Sequence, residues 1–227
     1  MNKEAIELEA RKLHIETWEK RKTLWPNGLP SHFDMLDPRV GAHILGITYQ
    51  TLPEIKILER RENQYEIAGI IERQFKRISI SERFPIEVQR FTGAHELGHW
   101  QLHPGEHMHR DRPAVYSPEL SQRRPRIEKE ADYFAACYLI PRKLLLREFR
   151  NRFSLEPLII NDTSAFYLCS GDSSSLLYSD PDSLACELAV ASARSFRGQH
   201  FTSLAEIFKI SPTAMAIRLN QMGLVRA

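Results

Sequence analysis

Three cysteines in 227 residues, Cys137, Cys169 and Cys186, form no Cys-x-x-Cys pair. So sparse and odd a set excludes a disulfide framework and a cysteine-based zinc module, and it suits reduced thiols. A continuous apolar run is missing as well. Residues 1–22 alternate charged and apolar positions, which provides neither a secretory signal nor a spanning helix, so the cytoplasm is the expected location and no membrane partner is implied. Charge of one sign is also scarce: 31 Lys and Arg stand against 29 Asp and Glu, for a formal net charge of +2. No whole-molecule field draws the chain toward nucleic acid or an anionic surface. What is present is an average globular composition, 42% hydrophobic and 26% charged, sufficient for a sizeable core. The length implies one main domain with a smaller appendage.

The hydrophobic pattern places several elements. Ile6, Leu8, Leu13, Ile15 and Trp18, with charges between them, form an imperfect stripe that predicts an amphipathic helix over residues 3–21; Trp18 and Trp25 are expected to bury. A short helix follows from about Pro38 to Gly46. Residues 65–81 read as a hairpin, with Ile67, Ile70, Ile71, Phe75, Ile78 and Ile80 apolar and a clean alternation in Lys76–Ser81. A helix is expected from Pro85 to Leu102, ended by His103-Pro104-Gly105. Residues 105–126 lack periodicity and read as a long surface loop. Helices over 127–140 and 142–152 follow. Residues 161–182 are Ser- and Asp-rich and read as a loop or a partly ordered insertion, and Asp180-Pro181 can start a helix. Ser203-Leu-Ala-Glu206 has the form of a capping box.

The chemistry concentrates in His95-Glu-Leu-Gly-His99. On a helix, residues four apart share one face, so both imidazoles can reach one metal ion, while Glu96 sits where a carboxylate can deprotonate water without ligating. The wheel assigns Ala94, Leu97, Gly98, Gln101 and Leu102 to the buried side and leaves the polar side presented. A catalytic zinc site needs a third protein ligand. The elongated pattern with a glycine three residues after the second histidine is absent, since Leu102 stands there. His103 continues the row from His95, but roughly 12 Å of helical rise separates those two positions, too far for both to reach one ion. The better source is Glu128-Lys-Glu-Ala-Asp132, where Glu128 and Asp132 share a face: Glu128 as ligand, Asp132 orienting a histidine, Glu130 pointing away. Ala131, Ala135 and Ala136 would let this helix approach the first closely.

Residues Arg90-Phe-Thr-Gly-Ala-His-Glu-Leu-Gly-His-Trp-Gln-Leu-His103 and Ile127-Glu-Lys-Glu-Ala-Asp-Tyr-Phe-Ala-Ala-Cys-Tyr-Leu-Ile-Pro141 resemble the ImmA/IrrE family of metallopeptidases. The resemblance implies an α+β fold: a mostly helical zincin-like metallopeptidase domain with a small antiparallel sheet. It also implies His95, His99 and Glu128 as ligands of zinc, with manganese an alternative ion, Glu96 as catalytic base and Asp132 behind the ligands. The expected division is residues 1–141 for the peptidase and 142–227 for a C-terminal helical subdomain with a helix-turn-helix-like end. The substrate implied is a helix-turn-helix transcriptional repressor. Tyr116, Tyr133 and His107 remain open as oxyanion donors. Arg123, Arg124 and Arg126 either hold an acidic substrate or keep a loop in water. The alternative reading is a DNA- or repressor-binding regulator with a structural or degenerate metal site; its second C-terminal helix offers a nucleic acid few side chains beyond Thr213, Arg218, Asn220 and Gln221, which favours packing or substrate recognition for that end.

Overall fold

A computed structural model of the chain describes residues 1–55, 66–105, 108–111, 124–169, 173–180 and 183–226. The chain divides into two compact units, Met1–Leu139 and Ile140–Ala227, and the architecture is mostly helical with small sheets. Among the described residues no helix is long and apolar enough to cross a membrane.

The first unit runs α1 (Lys3–Glu19), α2 (Arg21–Leu24), α3 (His32–Met35), α4 (Pro38–Ile44), β1 (Thr48–Leu52), β2 (Gly69–Glu72), β3 (Arg77–Ser81), α5 (Ile86–Leu102), β4 (Met108–Asp111) and α6 (Arg126–Leu139). Asn2 caps α1 by accepting from the Ala5 N–H, and Asp37 caps α4 ahead of Pro38 at its first turn. The buried stripe of α1 is Ile6, Ala10, Leu13 and Thr17, a stricter 3.6-residue period than the sequence reading assumed. Trp18 lies about 100° beyond Thr17 and stays 46% exposed, its ring stacked near His32 with the Arg21 guanidinium 4.2 Å away. Its expected burial is therefore corrected, and Trp25 is only half-buried.

The sheet has strand order β1-β3-β2-β4. β2 and β3 form the expected hairpin, Ile71 opposite Ile78, and β1 adds to it in parallel. The tight connection between β2 and β3 is a 3-10 turn, Arg73–Phe75, closed by Lys76 in the left-handed region at φ 47°. Phe75 sits on that turn and is 60% exposed, against expectation. The stretch read as a loop after Gly105 contains β4, antiparallel to β2. Its lack of periodicity concealed a strand of only four residues, too short for alternation to register. Tyr65, His107, Tyr116, Arg123 and Pro181, each invoked in the sequence reading, lie outside the described residues.

Ile71, Ile78 and Ile80 are fully buried, as are Leu97 on α5 and Phe134 and Tyr138 on α6. Gly98 marks a close approach of α5 to α6. A Cβ there would stand 3.1 Å from Ala131 Cα, Ala131 O and Phe134 Cβ. The Tyr138 hydroxyl donates to the Asp37 carbonyl, and His14 on α1 stacks on the Tyr138 ring and bonds the Tyr138 carbonyl oxygen at 2.9 Å. Burial holds the His14 imidazole below its ordinary pKa. Arg73 closes the other end of α5: its Nη2 donates to the carbonyls of His99 (2.6 Å), Trp100 (3.2 Å) and His103 (2.9 Å), a cation on the negative end of the helix dipole.

The second unit comprises α7 (Arg142–Phe153), β5 (Leu158–Ile159), α8 (Asp162–Leu168), α9 (Ser174–Leu177), α10 (Ala185–Ser192), β6 (Ser195–Phe196), β7 (Gln199–His200), α11 (Leu204–Phe208), α12 (Pro212–Gln221) and β8 (Val225–Arg226). Leu145, Phe149 and Phe153 form the buried row of α7, with the Phe153 ring edge-on to Phe196 at 5.3 Å, and Val190, Phe208, Met215 and Leu219 are buried in the same unit. The Ser203 capping box of α11 is complete. Lys209 turns the chain between α11 and α12 in the left-handed region at φ 54°. Arg218, offered by the sequence as a nucleic-acid contact, is buried and donates to Gln221 Oε1.

Two measurements check this fold. Gly98→Val should destabilise the chain by about 1–3 kcal/mol by overpacking against Ala131 backbone; an unchanged urea midpoint would contradict that contact. Glu206 is held at about 2, from an ordinary 4.5, first by the Ser203 hydroxyl, then by Arg194 and the Ser203 N–H. A depressed carboxylate stabilises fully above its ordinary pKa and loses the contribution as pH falls through the folded value. Glu206→Gln should thus be less stable than wild type near neutrality, the gap closing between pH 4.5 and about 2.

Candidate metal centre

The helical spacing that puts residues 95 and 99 on one face places their rings 4.6 Å apart, inclined at 70°. Their Nε2 atoms stand 2.9 Å from each other. Glu128 arrives from α6, its Oε2 3.3 Å from His95 Nε2 and its Oε1 3.6 Å from His99 Nε2. One donor atom from each of His95, His99 and Glu128 falls within a mutual 4.8 Å. The two histidines are fully buried, and the Glu128 side chain nearly so.

Buried imidazole and carboxylate groups turned toward one point are costly unless a cation or a proton lies among them. The outer ring nitrogens decide how they are held. His95 Nδ1 is 2.9 Å from Asp132 Oδ1, and His99 Nδ1 is 3.0 Å from His103 Nδ1. With each Nδ1 engaged, each Nε2 is the atom that faces inward, which is how a histidine is prepared for a metal. Two imidazole nitrogens and one carboxylate are a donor set that suits a divalent ion such as zinc, so the residues present fit a bound metal.

The neighbouring charges are organised around Glu128. Arg124 lies one turn before it and spans two carboxylates, 3.2 Å from Glu128 Oε2 and 3.0 Å from Asp132 Oδ2. Arg126 pairs instead with Glu130 at 2.8 Å. That bond, followed by the one from His103, holds the Glu130 carboxyl below its ordinary range. The arginine cluster therefore divides: Arg124 belongs to the centre and Arg126 to its flank.

Glu96 occupies the opposite side of α5 from the α6 contact, fully buried beneath β2. The strand passes so close that a Cβ on Gly69 would stand 3.0 Å from Glu96 Oε1 and 2.6 Å from Thr92 Cγ2. Only glycine permits that passage. The expected division of α5 into a buried side and a presented polar side is thus corrected. His95, Glu96 and His99 are all fully buried because α6 covers one flank and β2 the other, and Gly98, assigned to the far side, lies at the α6 contact itself.

Of the site residues the sequence singled out, the structure brings together His95 and His99 on α5 with Glu128 and Asp132 on α6, and it places Glu96, also on α5, against β2. The reading missed His103 and Glu130, whose side chains meet at 3.3 Å. Helical rise excludes His103 as a ligand but not as a partner of one, and on the wheel Glu130 points away from Glu128. With the α6 contact face centred on Ala131, however, Glu128 lies about 60° to one side and Glu130 about 100° to the other, so both flank α5. Of the open oxyanion donors, Tyr133 directs its hydroxyl to Glu7 Oε1 on α1 at 2.5 Å.

A family model described as the IrrE N-terminal-like domain, from a peptidase family, matches residues 48–160. That span begins at β1 and takes in all five of those residues. Among curated proteins nothing matches the chain.

Gly69→Ala tests the passage of β2 over Glu96. The added methyl should push on Thr92 and the Glu96 carboxylate and destabilise the chain by about 1–3 kcal/mol through overpacking. An unchanged thermal midpoint in the variant would contradict the placement.

Proposed function

Through residues 48–160 the chain belongs to the family of IrrE N-terminal-like peptidases, and from that premise we propose that this metallopeptidase is a zinc-dependent endopeptidase whose metal is held by His95, His99 and Glu128. Its substrate in this reading is a regulatory protein, a helix-turn-helix transcriptional repressor, met in the cytoplasm. The observation that carries the ligand assignment is the convergence of two buried Nε2 atoms and one carboxylate on a common point.

When bound, the metal supplies Lewis acidity toward the scissile carbonyl and toward water. Glu96 accepts the proton of the attacking water and returns it to the leaving amine, one carboxylate serving both steps. Its burial between α5 and β2 keeps bulk water from competing for that proton. Asp132 fixes the His95 ring, and Arg124 steadies Asp132 and Glu128 together, offsetting their mutual repulsion. The repressor as substrate rests on the family resemblance of the two linked motifs. The DNA-binding alternative is weakened by the burial of Arg218, which withdraws a phosphate contact from α12.

The test uses purified wild type, Glu96→Gln and His99→Ala with zinc or manganese. The target to be tried is any helix-turn-helix repressor whose gene is found next to that of this chain. Wild type should bind one metal per chain and cut the repressor. Glu96→Gln should keep the metal with cleavage slowed about 10²–10⁴-fold, and His99→Ala should lose the metal. An intact repressor would refute the substrate, and full cleavage by Glu96→Gln would refute the base.

A further inference from the structure

The two central histidines are supported differently. His95 meets a carboxylate directly, Asp132 at 2.9 Å. His99 meets another imidazole: its Nδ1 lies 3.0 Å from His103 Nδ1, and His103 Nε2 lies 3.3 Å from Glu130 Oε2. Glu130 in turn accepts from Arg126 Nε at 2.8 Å.

Proton bookkeeping makes this chain of contacts directional. If His99 offers Nε2 to a metal, its proton resides on Nδ1, and that N–H donates to His103. His103 Nδ1 must then be the acceptor, so its own proton sits on Nε2. That atom faces the Glu130 carboxylate, which only accepts. Every group has one compatible role, and a single assignment satisfies all three contacts. His103 is also placed from outside the site. It is the residue at which α5 ends, and its carbonyl is gathered by Arg73 with that of His99. The His103 side chain is 9% exposed and that of Glu130 15%, so solvent competes weakly for either.

We propose that His103 and Glu130 are positioning residues for His99: an imidazole relay that carries a carboxylate's influence one helical turn further and sets how tightly the centre holds its ion. The inference rests on His95, His99 and Glu128 being the metal ligands. His103 stays outside the coordination sphere and acts only by fixing the tautomer and angle of His99, a role that in metal sites commonly changes affinity 10–100-fold.

The test measures zinc affinity by chelator competition and the visible spectrum of the cobalt(II)-substituted protein, with thermal melts of the metal-free forms as a folding control. His103→Ala should weaken zinc binding 10–100-fold and shift the cobalt bands. His103→Asn, whose side-chain oxygen can accept near the position of Nδ1, should recover most of the affinity. Glu130→Ala should weaken binding in the wild-type background and add little in the His103→Ala background, because it acts through His103. Should His103→Ala melt early, the Asn and Glu130 variants carry the comparison. Equal zinc affinity and an unaltered cobalt spectrum in His103→Ala, or additive losses in the double variant, would overturn the relay. A wild-type chain that binds no zinc would overturn the metal-centre reading beneath it.

Discussion

The close passage of α5 and α6 governs the centre. Glycine on one helix meets alanine backbone on the other, at a separation where an added Cβ on Gly98 would stand 3.1 Å from Ala131. Short side chains can converge only from helices this near. A carboxylate on a two-carbon stem and two imidazoles reach a common point because the backbones approach closely where Gly98 faces Ala131. The same nearness explains why the polar face of α5 is buried. Once α6 is seated on one flank and β2 on the other, solvent is displaced from both, and Gly69 answers on the sheet side the requirement that Gly98 answers on the helix side.

Burying so many ionisable groups is tolerable because they alternate. Glu128 and Asp132 share Arg124, Glu130 takes Arg126 and His103, and His95 and His99 each have an outer nitrogen engaged. A buried charge is expensive alone and far less so within a satisfied network. The ordering also imposes specificity: changing one member alters the proton preferences of its neighbour, so these side chains behave as a set.

Much of the first unit was legible because helical periodicity and the HExxH spacing are local signals. The α5 and α6 boundaries were read within a residue or two, and the partnership of two motifs over thirty positions apart followed from the demand for a third ligand. What escaped depended on packing. Leu8, Ile15 and Trp18 looked like core, yet the buried stripe followed Ile6, Ala10, Leu13 and Thr17, because the seat on α6 and α4 is narrow and one step round the helix leaves it. Glu130 points away from Glu128, but the angle that brings it to α5 is the one to Ala131. β4 is too short to show alternation, and Arg218 reads as a solvent-facing cation until its burial is seen. In each case the missing information was which neighbour the face meets.

Arg73 belongs to the turn of a β-hairpin but holds the carbonyls of His99, Trp100 and His103. The last turn of α5 is thereby tethered to the sheet through one planar cation, itself stacked 4.7 Å from the Trp100 ring. Helix ends ordinarily fray at little free-energy cost, and this one carries two of the imidazoles. Pinning it to the hairpin joins the two into one cooperative unit. Amide exchange at the end of the helix should accordingly share the opening free energy of β2 and β3, so that the local order of the centre is inherited from the sheet.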